Sequence, residues 1–109
     1  SAMTAIGNDY GYENVFAREI KAIATPTDVI IAITTSGNSG NILKALEAAR
    51  EANVHAVVLT GAGRGMLDDR TEALNIPSTD TARIQECHIL IGHIICGMVE
   101  AAIFKQSNT

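Results

Sequence analysis

Val29-Ile30-Ile31-Ala32-Ile33 runs without a polar interruption straight into Thr34-Thr35-Ser36-Gly37-Asn38-Ser39-Gly40. A run so short, β-branched and unbroken marks a strand covered on both faces, and hence the central strand of a parallel sheet. From Asn41 to Ala52, Ile42, Leu43, Leu46 and Ala49 then recur at helical spacing. Strand, polar glycine loop and helix follow one another, the order that puts a binding loop at the carboxyl end of an open α/β sheet.

The rest of the chain repeats the alternation. Between Glu13 and Ala24, Val15, Phe16, Ile20 and Ile23 share one helical face, and Pro26 and Asp28 end that helix. A second strand is predicted over Ala56 to Thr60, then Gly61-Ala62-Gly63-Arg64-Gly65 and a short helical turn through Met66, Leu67 and Asp69. Ala73 to Ile76 is a third strand, closed by Pro77. The last helix runs from about Arg83 to Lys105, with Asp80 or Thr81 as its N-cap. This order implies one α/β domain over residues 1–109, a parallel sheet with right-handed crossovers and flanking helices.

Composition narrows the partners. The net charge is −4 and the eight basic residues are scattered, so nucleic acid is not expected as a direct ligand. Cys87 and Cys96 fall in one apolar helix, where they read as buried packing thiols of a reducing compartment, the cytoplasm. The apolar stretch from Cys87 to Phe104 is long enough to raise a membrane question, but His88, His93, Glu100 and two glycines interrupt it. It reads as a core or interface helix with little polar face, and a homo-oligomer is expected to cover it. No signal peptide is recognised at the start.

The hydroxyl loop carries the strongest chemical signal. The side chains of Thr34, Thr35, Ser36 and Ser39, backbone N–H groups and the positive end of a helix dipole meet there, as a phosphate dianion requires. No lysine follows, so this is not the nucleotide loop that ends in Gly-Lys-Ser/Thr. The alternative is that these hydroxyls only cap the helix and make the turn. One or two would suffice for that, and four favour a ligand. Gly61 to Gly65 fails as a dinucleotide loop, because Met66 stands where Gly or Ala is needed, even though Asp80 lies at the distance of a ribose-binding acid.

Taken together, Ala5-Ile6-Gly7-Asn8-Asp9-Tyr10-Gly11, the hydroxyl loop, and Ser78-Thr79-Asp80-Thr81-Ala82-Arg83-Ile84-Gln85-Glu86 with His88 and His93 resemble the phosphoheptose isomerases of the SIS (sugar isomerase) group. The resemblance implies a Rossmann-like SIS domain that is truncated at its N-terminus, lacking the helices, the first strand and the catalytic glutamate that open the family pattern. It implies a homotetramer that interconverts sedoheptulose 7-phosphate and a heptose 7-phosphate for bacterial surface polysaccharide. It maps substrate contacts to Asp9, Thr34, Thr35, Ser36, Ser39 and Gln85, the catalytic histidine to His93, and two ligands of a zinc ion to Gln85 and His93. A non-catalytic SIS module, binding a sugar phosphate or a protein partner as the replication-initiation regulators do, is the rival; a folded fragment without function is the third possibility.

On an ideal helix Gln85 and His93 stand about 12 Å apart along the axis and about 80° apart around it. They share a broad face without stacking, so one metal between them needs both side chains to lean inward or ligands from two subunits. An aldose–ketose isomerisation needs a base that titrates near neutrality, which suits histidine, and a group that polarises the carbonyl, such as zinc or the Gln85 amide. The bland reading makes His93 a hydrogen-bonded core histidine. His88 reads as structural or interfacial, His55 as surface, and Arg83 and Glu86 as paired with neighbours.

Overall fold

The computed structural model describes residues 12–107, with side-chain surroundings from residue 13 to 105. A 3-10 turn at Tyr12–Asn14 leads into helix α1, Val15–Ile23. Then come strand β1, Val29–Ile33; helix α2, Gly40–Glu51; strand β2, His55–Thr60; strand β3, Glu72–Asn75; and helix α3, Thr81–Ser107. Among the described residues the three strands form one parallel sheet in the order β1-β2-β3. The predicted elements lie within about two residues of these bounds. The exception is Met66 to Asp69, which makes turns and no helix.

The register pairs Val29 with His55 and Ile33 with Leu59, then Val57 with Glu72 and Thr60 with Asn75. Strand residues alternate between faces. Ala32 and Val58 therefore turn to the same side, where Leu46 of α2 and Leu67 of the β2–β3 connection close the core over them. Ile42, Leu43, Ala56 and Ala73 pack around that cluster. Small residues let the layers approach: Ala45, Ala48 and Ala49 make the buried face of α2, and Val15 and Ala17 that of α1 beside it.

β1 corrects an expectation. It is the edge of the described sheet, and β2 is the central strand, with Val58, Leu59 and Thr60 fully buried. Val29, Ile31 and Ile33 alternate onto the opposite side and stay exposed, Ile33 at 55%. Their aliphatic character is real, but among the described residues α3 stands over that face across open clefts and does not seal it.

α3 starts where Asp80 caps it: the Asp80 side chain accepts the Ala82 N–H at 3.0 Å, and its carbonyl accepts that of Ile84 at 2.9 Å. Its Thr81–Lys105 stretch has the length and composition to cross a membrane. Two buried side chains, Ile84 and His88, nonetheless fasten its first two turns to the end of β2. The expected burial of both cysteines is corrected, since Cys87 is half-buried and Cys96 exposed. An apolar helical neighbourhood buries a thiol only if another element lies over it.

The β2–β3 connection carries an acid-sensitive clasp. Asp68 accepts the Arg70 Nε and Nη2 groups at 3.1 and 3.0 Å and the Arg70 backbone N–H at 2.8 Å, with Arg50 Nη1 3.7 Å away. The side-chain bonds from Arg70, then its backbone N–H, hold the carboxyl far below its ordinary value of 3.8; desolvation opposes them, and the Arg70 and Arg50 charges add smaller effects in the same direction as the bonds. A carboxyl whose value falls on folding stabilises the fold above the unfolded value, and that contribution is lost as pH drops toward the folded one. Asp68→Asn should therefore flatten the acid side of the urea-midpoint profile between about pH 5 and pH 2. Because the clasp is exposed, high salt should weaken the effect.

Candidate functional site

The hydroxyl loop leaves β1 through the last rung of the ladder, where the Thr34 N–H donates to the Leu59 carbonyl at 3.0 Å. Thr34 is buried, and its Oγ1 accepts the Gly37 N–H at 3.2 Å and lies 3.2 Å from Ser39 Oγ. Ser36 Oγ accepts the Asn38 N–H at 3.1 Å. Two of the four hydroxyls thus shape the turn. Thr35 is half-buried, Ser36 exposed, and Ser39 is the N-cap of α2 without a side-chain capping bond.

The first turn of any helix leaves backbone N–H groups without partners inside the helix. In α2, Ile42 finds a substitute in the Asn41 side chain at 2.9 Å and in the Ser39 carbonyl. Those of Gly40 and Asn41 have no acceptor among the described residues. These two N–H groups, the dipole of a 12-residue helix and the Ser36 and Ser39 hydroxyls favour an anion at the corner, against the Glu13 carboxylate, whose Oε1 lies 3.2 Å from where a Cβ of Gly40 would be.

The second glycine loop does a task not foreseen from the sequence. Gly37 and Gly65 both have positive φ, 76° and 56°. At Gly37 a Cβ would lie 2.2 Å from the Arg64 carbonyl oxygen, and at Gly65 one would lie 2.4 Å from that of Ser36. The two loops touch backbone to backbone, tied by the Met66 N–H to the Gly37 carbonyl at 3.1 Å. Arg64 braces the second loop through Nη2, which donates to the carbonyls of Asp68 and Thr71 at 2.7 and 2.9 Å. Gly61 closes the corner, since a Cβ there would sit 2.6 Å from the Thr35 carbonyl and 2.8 Å from Ile84 Cδ1 of α3. Closely spaced glycines after strands were the available signal; which backbone they approach was not in it.

Ile84 precedes Gln85, so the same contact brings the start of α3 beside the hydroxyl loop. Gln85, His88, Ile89, Gly92, His93 and Cys96 form one stripe of α3, and with Ile33 of β1 they line a cleft of about 570 Å³. Gln85 and His93 therefore open into one space, and both are exposed. The core-histidine reading fits His88 instead, whose Nε2 bonds the Thr60 carbonyl at 3.0 Å. His55 is a surface residue 3.3 Å from Glu72, and Arg83 pairs with Glu86 at 2.9 Å. Asp9 lies outside the described residues. A second apolar cleft of about 470 Å³, between α1, the start of α2 and the open edge of β1, includes Ser39 and Asn41 in its wall.

A structural or catalytic zinc ion takes three or four protein donors. The stripe offers the Gln85 amide, His93 and the Cys96 thiol, but among the described residues no three His, Cys, Asp or Glu side chains come together. The described residues alone do not fit a zinc ion.

A family model described as the SIS domain matches residues 1–61. The phosphoheptose isomerase of Rhodospirillum rubrum is 49% identical over 104 residues, covering 94% of this chain and 55% of the relative. Phosphoheptose isomerase 2 of Campylobacter jejuni is 53% identical over 107 residues, covering 97% of this chain and 53% of the relative. Among solved structures, a phosphoheptose isomerase from Neisseria gonorrhoeae superposes with a TM-score of 0.82 at 46% identity, over 90% of this chain and 56% of that one. One from Francisella tularensis gives 0.83 at 38% identity, over 90% and 53%. The chain spans about half the length of the curated relatives it matches. With its parallel sheet, its strand-loop-helix corner and these relatives, the chain belongs to the SIS-domain family and is similar to the phosphoheptose isomerases within it.

Proposed function

We propose that this chain supplies the phosphate-gripping loop and the glutamine–histidine helix of an aldose–ketose isomerase acting on a sugar phosphate, with sedoheptulose 7-phosphate as the substrate. The observation that carries this reading is the cleft shared by Gln85 and His93, set beside the hydroxyl loop by the Gly61 contact. The phosphate end of the sugar is held by Ser36, Ser39, Thr35 and the amides that open α2, with Thr34 shaping the loop behind them. Asp9 is assigned to the substrate from the resemblance alone.

In such a reaction a proton leaves C1 of the ketose, an enediol forms, and a proton returns at C2 as another passes from the C1 hydroxyl to the C2 oxygen. Proton transfer is assigned to His93, an exposed imidazole that opens into the cleft beside Gln85, whereas His88 is tied to the Thr60 carbonyl. The Gln85 amide N–H can donate to the oxygen on which charge develops. A zinc ion here, as the resemblance implies, would take Gln85 and His93 as donors and the others from outside the described residues.

Sedoheptulose 7-phosphate supplied to the chain, with aldose formation followed by proton NMR, tests the reading. Turnover abolished by His93→Gln supports it. Binding of the sugar phosphate without turnover transfers the assignment to a binding module, and no binding at all overturns both.

The partner assigned to the apolar side is a second copy of this chain, in a dimer or the tetramer that the resemblance implies. Ile89, Leu90, Ile94, Met98 and Phe104 of α3 are exposed, as are Val29 and Ile31 of β1. Apolar surface of that extent is rarely left open to water. Sedimentation equilibrium should give a multiple of the 11.5 kDa chain mass. Ile94→Asp should lower it, and a well-behaved wild-type monomer would overturn the assignment. The cytoplasm is the compartment proposed, on the two free cysteines.

A further inference from the structure

Between Thr81 and Lys105, Ile84 and His88 are the only buried side chains of α3, each 3% exposed. One turn apart, they fall on the same side of the helix and meet the end of β2. Ile84 presses on Gly61, a contact with no directional preference. His88 adds a directional one, with Nε2 3.0 Å from the Thr60 carbonyl oxygen. A carbonyl only accepts, so Nε2 carries the proton and the ring orientation is set.

The Thr60 carbonyl does not need this bond to be satisfied, because it also accepts the Ile76 N–H at 3.0 Å. What the imidazole adds is a fixed rotation of α3 about its own axis. Gln85 lies three residues before His88 and His93 five after it, and all three line one cleft. A turn of the helix would change how Gln85 and His93 stand in that cleft.

We infer that His88 is a positioning residue: its bond to the Thr60 carbonyl sets where Gln85 and His93 stand relative to the hydroxyl loop. The inference rests on the roles proposed above for Gln85 and His93. A displacement of about 1 Å at a reacting group is enough to lower turnover about 100-fold.

Two variants and one spectroscopic signature test it. His88→Gln keeps an N–H donor within reach of the carbonyl, and His88→Leu keeps apolar volume without it. In the leucine variant kcat should fall about 100-fold with KM little changed, and glutamine should restore most of it. A uniform loss of stability in both variants, with no split between kcat and KM, would overturn the inference. If the wild-type chain does not turn over, the isomerase reading fails separately, and His88 is judged by NMR on histidine-labelled chain. There the ring nitrogens of His88 should show the Nε2–H tautomer, and the Gln85 amide and His93 ring signals should move in the leucine variant and return in the glutamine variant. An Nδ1–H tautomer, or signals unmoved in a folded leucine variant, would sink the proposal. Should the leucine variant not fold, the tautomer and the glutamine variant's His93 signal decide.

Discussion

Gly37→Ala destabilises the chain by about 3 to 5 kcal/mol, a large share of what a domain of this size has to lose. Two independent effects act at that position. The backbone sits at φ 76°, where an L side chain costs about 1 to 2 kcal/mol. The added methyl group also lands 2.2 Å from the Arg64 carbonyl oxygen, which is backbone and cannot rotate aside. The hydroxyl loop must separate from the second glycine loop, breaking the Met66-to-Gly37 bond, so phosphate binding should be lost along with stability. Gly97→Ala is the control: nothing lies within 4 Å of its Cβ position, and removing a glycine from a helix interior should stabilise by about 1 kcal/mol. Urea denaturation of both variants decides the matter, and a Gly37→Ala midpoint close to that of wild type would refute the description of the loop pair.

If the proposed isomerase reading holds, His93→Gln should lower turnover of sedoheptulose 7-phosphate by about 10²- to 10⁴-fold, the usual contribution of a positioned acid–base group. Glutamine preserves polarity and approximate size but cannot exchange a proton. Because His93 is exposed in the cleft and packs no core, stability should be nearly unchanged, and sugar-phosphate affinity should follow the hydroxyl loop. His55→Gln provides the comparison, since His55 is exposed and, among the described residues, paired with Glu72 at the opposite end of β2. Calorimetric binding together with an NMR turnover assay separates the two variants. Equal rates for His93→Gln and wild type would remove His93 from the chemistry.

How far these features were legible in the residues differs from element to element. Val29 to Ile33 was readable as a strand to the residue, and Asp80 as the cap of the last helix, because both depend on patterns within a few neighbours. The position of that strand in the sheet was not readable. A continuous aliphatic run shows that a strand is suited to burial on both faces, while its actual neighbours depend on chain far away in sequence. Gln85 and His93 could be placed on one broad helical face from spacing. Their common cleft required Ile33 to stand opposite them, which no periodicity records.

The position of the hydroxyl loop and the alternation of strands and helices were determined by sequence alone, since each follows from local backbone preference. Tertiary structure decided that Gly37 and Gly65 join two loops, that Gly61 seats α3 against the loop corner, and that His88 is buried while His93 faces open space. The physical reason is that close approach and burial are properties of pairs of surfaces. A residue's own type sets what it can tolerate, and only the packing of distant segments determines what it meets.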